Sequence, residues 1–325
     1  MAETPGSQRE KVLLKVEKKM QAMILAAGFG TRLRPYTLIK PKPLFPVLNR
    51  PLLHILLDML ERAGCLRVVV NAHHLVDQID TALAEYPEVI LQHEPEILGT
   101  GGSLRLALAH FIEEPLLVMN GDIFHNIDLA RVYQNHRESG NLVTMAMHDH
   151  SRFNSVVVEG DYVRTFKPRD RESLLAFTGI HVLQPEVIRM IPETGFFHII
   201  DLYEQLAGLG EQVGIVRVDG SYWRDIGTPE DYLHLHEELL TGIVPSNLPV
   251  VLPQTPWCIA DGVEMAENVT QDDWGCIGSN ATIGNNTHLA RSVIWDGVNI
   301  PVGSRIADAI VTPVDPVVTI FFTAP

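Results

Sequence analysis

The sequence predicts an α/β protein: a mostly parallel sheet covered by helices, followed by a short module of six-residue repeats. Three observations predict it. From Gln21 to Thr241, short β-branched runs alternate with longer amphipathic stretches, the pattern of strand–helix–strand units. At residues 22–46 an apolar run ends in a glycine-rich, cation-bearing loop. From Trp274 onward, aliphatic residues recur at six-residue spacing.

Composition sets the bounds. At 325 residues the chain is long enough for two domains of unequal size. Hydrophobic residues at 46% and charged residues at 20% are ordinary for a soluble globular protein. A net charge of −15 excludes broad binding to nucleic acid or anionic membranes, which needs a basic surface. Phosphate binding stays open, because local cations decide it. Cys65, Cys258 and Cys276 form no CxxC pair and read as reduced thiols of a cytoplasmic protein. No apolar run is long enough to span a bilayer. Residues 1–20 are polar and lack a signal-peptide core, so they are expected to be a flexible tail. Met20 and Met23 would both be sensible starts, since the first strand begins there.

The catalytic portion is expected over 21–241. Met23 to Ala27 has the character of a buried parallel strand. Gly28-Phe29-Gly30 lets the backbone turn sharply, and successive N–H groups in such a turn make a concave anion site. Thr31, Arg32 and Arg34 put a hydroxyl and two cations beside it, and Pro41-Lys42-Pro43 holds a lysine in a stiff extended segment. This is a phosphate-handling device. The Walker pattern is absent and the dinucleotide fingerprint fails at Leu33, so neither of those glycine loops is present.

Leu53, Leu56, Leu57 and Leu60 predict a helix over 52–63. Strands follow at Val68–Val70 and Val89–Leu91, a helix at 101–110, and a buried strand at Leu116–Met119. Gly28 and Asp122 sit just past strand ends, where ligands bind in such sheets. Strands at 155–159, 177–183 and 213–218 predict an added, partly antiparallel portion. The stretch 242–273, proline-rich at its start, reads as a linker. Over 274–325, Ile277, Ile283 and Leu289 recur six apart; after a one-residue slip so do Ile294, Ile300 and Ile306. Gly278, Gly284 and Gly303 take turn positions, as in a left-handed parallel β-helix of hexapeptide repeats. So few coils are not stable alone. The module is therefore expected to pack on the catalytic domain or to make a homo-oligomer, and the apolar tail Val317–Phe322 should be covered.

Ala27-Gly28-Phe29-Gly30-Thr31-Arg32-Leu33-Arg34-Pro35-Tyr36-Thr37, with Pro41-Lys42-Pro43-Leu44, resembles the signature of the sugar-1-phosphate nucleotidyltransferases. Asn120-Gly121-Asp122 and Trp223-Arg224-Asp225-Ile226-Gly227-Thr228-Pro229 resemble two further segments of that family. The resemblance implies a Rossmann-like nucleotidyltransferase fold that joins an NTP, with GTP or UTP favoured, to a sugar 1-phosphate. It implies that Ala26, Ala27, Gly28, Gly30 and Thr31 bind the nucleotide, with the backbone of Leu98, Gly99, Thr100, Gly101 and Gly102 at the base and ribose. Taken alone, that second glycine cluster reads equally well as a plain helix entry.

By the same resemblance Asp122 and Asp225 hold Mg²⁺, which favours hard oxygen ligands. Arg32 grips the leaving pyrophosphate and Lys42 the α-phosphate; Gly121, Lys167, Thr178, Gly179 and Asp201 belong to the sugar-phosphate side. Phe166 stands where many members carry a sugar-binding glutamate. The sugar-phosphate oxygen is already an anion, so the reaction needs charge stabilisation rather than a general base. His73, His74, His148, His150, His234 and His236 have no partners at metal-ligand spacing and read as structural or solvated. Base and sugar stay open: Ala26-Ala27-Gly28 is similar to N-acetylmuramate-1-phosphate uridylyltransferases, and the hexads to mannose-1-phosphate guanylyltransferases. A non-catalytic scaffold of the same fold is the alternative, and the presence of Arg32, Lys42, Asp122 and Asp225 favours the enzyme.

Overall fold

A computed structural model describes residues 20–168, 173–210, 212–313 and, as backbone only, 318–319. The predicted tail lies outside these residues except Met20, which already belongs to the first strand. The main sheet uses β1 (Met20–Leu25), β2 (Cys65–Ala72), β3 (Ile90–His93), β4 (Leu116–Asn120) and β5 (Val143–His148). It is extended by β6 (Val156–Glu159), β7 (Tyr162–Thr165), β8 (Leu174–Leu183) and β9 (Val213–Arg217). Their spatial order is β3-β2-β1-β4-β8-β5-β9-β7-β6. β3, β2, β1 and β4 are mutually parallel, whereas β8 enters antiparallel between β4 and β5.

Alternation along each strand sends side chains to two cores. Ala22, Ile24, Val68, Val70, Leu117 and Met119 face one, and Met23, Val69, Leu116 and Val118 face the other. The chain leaves β1 toward β2 on one side and returns to β4 on the other. That reversal opens a crevice past the carboxyl ends of β1 and β4.

The Leu52–Ala63 helix buries Leu53, Leu56, Leu57 and Leu60 as the spacing predicts. It ends at Gly64 in the left-handed region (φ 91°), a helix C-terminus that glycine adopts without steric cost.

At the C-terminus, parallel rungs at Trp257–Ile259, Thr270–Ile277, His288–Ile294 and Arg305–Val311 form one ladder. Short strands at Glu264–Met265, Thr282–Ile283 and Asn299–Ile300 form a second. Cys258 pairs with Cys276, Cys276 with Val293 and Val293 with Ile310, so successive rungs lie eighteen and then seventeen residues apart. The shorter spacing matches the one-residue slip between Leu289 and Ile294, and Ile277, Ile283, Leu289, Ile294, Ile300 and Ile306 are all buried. The ladder starts at Trp257, inside the stretch read as linker. Ile259 and Met265 hold the six-residue spacing there, but the next member is the polar Gln271, paired with Leu289, which hid the period. The module packs on the catalytic portion: Ile277, Ile294 and Trp295 share one core with Leu33, Phe45 and Tyr232. Of the apolar tail only Val318–Thr319 is described, and its backbone pairs with Arg305–Val311.

Candidate active site

Three segments distant in sequence meet at the crevice because the sheet and one small ladder hold them. β1 delivers residues 26–32 to its carboxyl end, and β4 delivers Asn120 and Asp122. Ile123–His125 then pairs antiparallel with Trp223–Asp225, placing Asp225 opposite Ile123. The Ile226 N–H donates to the Asp122 carbonyl at 3.1 Å, and Trp223 Nε1 donates to the Thr178 carbonyl at 2.9 Å. The second carboxylate is thus fixed relative to the first by main-chain bonds.

Two cavities open here. One, of about 370 Å³, is lined by Ala26, Ala27, Gly28, Gly30, Thr31, Lys42, Glu94, Gly99 and Thr100, among others. The second, about 460 Å³, is lined by Phe153, Ser155, Phe166, Phe177, Gly179, Trp223 and Asp225. Arg32, Asn120 and Asp122 line both, so the cavities share that wall. Two substrates bound in the two cavities would meet there.

Gly30 sits in the left-handed region (φ 58°), and an added Cβ would lie 2.8 Å from Thr37 Cγ2. The Thr37 hydroxyl donates to the Gly30 carbonyl at 3.0 Å, which ties the turn to the segment after it. A Cβ on Gly28 would meet no atom within 4 Å and would project into open space, so glycine keeps that stretch of the cavity free. Lys42 begins a single 3₁₀ turn over Lys42–Leu44 rather than an extended segment; only Pro41 before it is extended. Closing the turn, the Leu44 N–H donates to the Pro41 carbonyl at 2.8 Å, and the Phe45 N–H to the Lys42 carbonyl at 3.0 Å.

Lys42 is 7% exposed, and its Nζ lies 2.5 Å from Asp122 Oδ2 and 3.6 Å from Asp225 Oδ1. Arg32 Nη2 is 3.9 Å from Asp225 Oδ2, with most of its side chain in solvent. Burial raises the Asp225 pKa, Lys42 draws it back down, and Asp122 raises it further. Two carboxylates therefore converge on one cationic centre. That donor set fits Mg²⁺, which takes one or two carboxylates and completes its shell with phosphates and water. Among the described residues no group of three or more His, Cys, Asp or Glu forms an all-protein metal cage.

The second glycine segment divides. Gly99 and Thr100 line the first cavity, but Leu98, Gly101 and Gly102 turn to the segment around Phe197. The Gly101 and Gly102 N–H groups donate to the Phe197 carbonyl at 2.8 and 3.3 Å, and the Phe197 N–H donates to the Leu98 carbonyl at 2.9 Å. Gly121 is likewise structural, with its N–H donating to the Leu25 carbonyl at 2.8 Å.

On the acceptor side Gly179 lines the second cavity (φ 78°); a Cβ there would lie 2.6 Å from Asn120 Nδ2. Thr178 is buried and its hydroxyl donates to the Ala146 carbonyl at 2.8 Å, so it faces away from the cavity. Lys167 and Asp201 are exposed beside the cavity without lining it, next to Phe166 and Ile200, which do.

Sequence reasoning missed the role of Glu94. It is fully buried and lines the first cavity. Its Oε1 accepts from Asn71 Nδ2 and Gln92 Nε2, each at 2.9 Å, and its Oε2 from Ser103 Oγ at 3.0 Å. Asn71 Oδ1 in turn accepts from the Ala26 N–H at 2.7 Å. Hydrophobic periodicity carries no trace of such a network. The available signal was four polar residues falling on otherwise apolar elements. The histidine pairs are structural where described: His73 and His74 bond the Glu94 and Thr37 carbonyls, and His236 bonds the Tyr232 carbonyl.

The family comparison agrees with this geometry. The nucleotidyl transferase family model matches residues 21–242. Mannose-1-phosphate guanylyltransferase of Mycobacterium tuberculosis is 30% identical over 302 residues, covering 89% of this chain and 83% of that protein. UTP–glucose-1-phosphate uridylyltransferase of Synechocystis is 28% identical, covering 90% and 87%. The crystal structure of HddC from Yersinia pseudotuberculosis shares the fold, with a TM-score of 0.57 and 24% identity over 66% of this chain and 97% of that one. With its glycine loop, paired carboxylates and twin cavities, the chain belongs to the nucleotidyl transferase family, among the sugar-phosphate nucleotidyltransferases.

Proposed function

We propose that the chain transfers a guanylyl group from GTP to a sugar 1-phosphate, with Mg²⁺, and releases pyrophosphate. The observation that carries the choice of base is the likeness, along 89% of this chain, to a mannose-1-phosphate guanylyltransferase. Glu94 is fully buried at the edge of the first cavity, and three of its roughly four acceptor sites are taken by Asn71, Gln92 and Ser103, so it braces the wall of the nucleotide cavity rather than pairing with the base. The first-cavity residues Ala26, Ala27, Gly28, Gly30, Thr31, Gly99 and Thr100 would hold the nucleotide. Leu98, Gly101 and Gly102 would support it through the Phe197 segment.

In the reaction a sugar-phosphate oxygen bonds to the α-phosphorus while the α–β bridging oxygen leaves with pyrophosphate. Mg²⁺ held by Asp122 and Asp225 would neutralise the phosphates. Lys42 sits between those carboxylates, placed to stabilise charge gathering at the α-phosphorus. Arg32, on the shared wall, reaches the leaving pyrophosphate from one cavity or the incoming phosphate from the other. Gly179 would line the sugar, with Thr178 and Gly121 supporting the strands, and Lys167 and Asp201 close over it when the acceptor binds.

The GTP reading also draws on HddC, which was solved with GMP-PN. The Synechocystis relative favours UTP as the second reading. The coil is read as a left-handed β-helix with hexapeptide periods, open to self-association, and the three free thiols suit the cytoplasm. The test is pyrophosphate release across a matrix of four NTPs and several sugar 1-phosphates, with and without Mg²⁺. GTP-dependent release that requires Mg²⁺ and is lost in Asp122→Asn supports the reading. UTP preference in the unaltered protein refutes the assignment of the base, and silence in every pairing refutes transfer.

A further inference from the structure

Trp295 belongs to the C-terminal coil, yet its indole lies under the catalytic loop. It is 1% exposed. Its ring centroid is 5.0 Å from Phe45, edge-on, and 6.2 Å from Tyr36, while Lys40 Nζ stands 5.3 Å over its face. Each neighbour is one step from a phosphate-handling group. Phe45 closes the 3₁₀ turn that carries Lys42, through its N–H to the Lys42 carbonyl. Tyr36 precedes Thr37, whose hydroxyl holds the Gly30 carbonyl and whose methyl packs on Gly30.

Further ties fix the coil in register with this loop. Asn49 Nδ2 donates to the Cys258 carbonyl at 3.2 Å and to the Ile277 carbonyl at 2.9 Å. Tyr232, whose ring is 5.5 Å from Phe45, donates its hydroxyl to the Pro46 carbonyl at 2.5 Å. The loop bearing Arg32 and Lys42 therefore rests on the coil on one side and opens to the cavities on the other.

We infer that Trp295 is a positioning residue for the transfer reaction: the coil module sets the placement of Lys42 and of the Gly30 turn. This rests on the reaction proposed above. The coil is then part of the active site's foundation as well as a surface for assembly. A positioning role predicts a loss concentrated in kcat, because Lys42 acts on charge that develops during transfer, and small misplacements are costly there.

The experiment compares Trp295→Ala and Trp295→Phe with Ile300→Ala, an equally buried coil residue whose short strand pairs with Thr282–Ile283 and which has no ring to stack on Phe45 or Tyr36. Turnover, nucleotide Kd and hydrogen exchange of peptides spanning 30–48 are measured on the full chain. Expected for Trp295→Ala is a fall in kcat of about tenfold or more, with nucleotide Kd changed under threefold. Exchange over 30–48 should be faster. Trp295→Phe should recover most of both, and Ile300→Ala should change neither. If Trp295→Ala does not fold, Trp295→Leu takes its place. Unchanged exchange and kcat in the Trp295 variants, or equal losses in Ile300→Ala, overturn the inference. Should the unaltered protein transfer nothing from any NTP, the proposed reaction fails, and the exchange comparison alone still decides whether Trp295 holds the loop.

Discussion

Replacing Lys42 by methionine keeps the unbranched stem, one atom shorter, and removes its charge. The ammonium lies 2.5 Å from Asp122 and 3.6 Å from Asp225, with 8% of the lysine side chain exposed. At an effective dielectric of about 20, the closer attraction alone amounts to roughly 7 kcal/mol gross. Desolvation of the lysine offsets most of it, and Asp122, a third exposed, is partly screened. The net loss of stability should be about 1–2 kcal/mol, a few degrees in Tm. Catalysis should suffer more: losing a preorganised charge at the reacting phosphate costs about 3 kcal/mol, near a hundredfold in kcat.

Metal binding should move the opposite way. Without the lysine the two carboxylates face each other unneutralised, so apparent Mg²⁺ affinity should rise by about tenfold, some 1.4 kcal/mol. Calorimetric titration of Mg²⁺ and a coupled pyrophosphate assay on Lys42→Met measure the two effects. A kcat loss below tenfold, or a weaker Mg²⁺ site, would refute the placement of Lys42 between metal ligands and α-phosphate.

Other perturbations probe separate parts of the molecule. Asp122→Asn should abolish turnover and leave the circular dichroism spectrum unchanged; residual activity above about 1% would remove Asp122 from the metal site. His181 is buried against Tyr203 and Phe177, with its pKa pushed down to about 3 by burial. It stays neutral when folded but charges near pH 6.5 when unfolded. It therefore costs stability as pH falls below that value, about 2 kcal/mol by pH 5. His181→Phe should flatten that part of the stability profile, and an unchanged slope in urea titrations between pH 7 and 5 would contradict it. Ending the chain at Val250 should give insoluble protein, because Tyr232, Leu235 and Leu239 lose their cover. Recovery of a soluble, active monomer would show that the coil is dispensable.

Legibility in the sequence followed the kind of constraint each residue serves. The turn at Gly28–Gly30, the Asn120–Asp122 segment and the Trp223–Thr228 segment combine unusual residue types in close spacing, so they stand out in one dimension. β1, β2 and β4 do so as well, being nearly uninterrupted apolar runs. The partly antiparallel character of the 155–218 portion was legible, but the insertion of β8 between β4 and β5 was not, since strand order is decided by packing among separate elements rather than by the pattern within each one. Glu94 was not legible as a site residue because its partners Asn71, Gln92 and Ser103 come from three different elements. The resemblance offered Leu98, Gly101 and Gly102 as direct contacts. Their spacing could not reveal that the Phe197 segment already occupies those groups.

The Pro229–Thr241 helix lies across the Thr270–Ile277, His288–Ile294 and Arg305–Val311 rungs. Its thirteen residues give it a length of about 20 Å, and rungs spaced about 4.8 Å apart fit roughly four to that length. The helix thus acts as a ruler for the coil. A chain of this design could lengthen its tail by whole turns without disturbing the crevice. Each turn past the end of the helix would expose an apolar flank, to be met by a longer helix or by a neighbouring subunit.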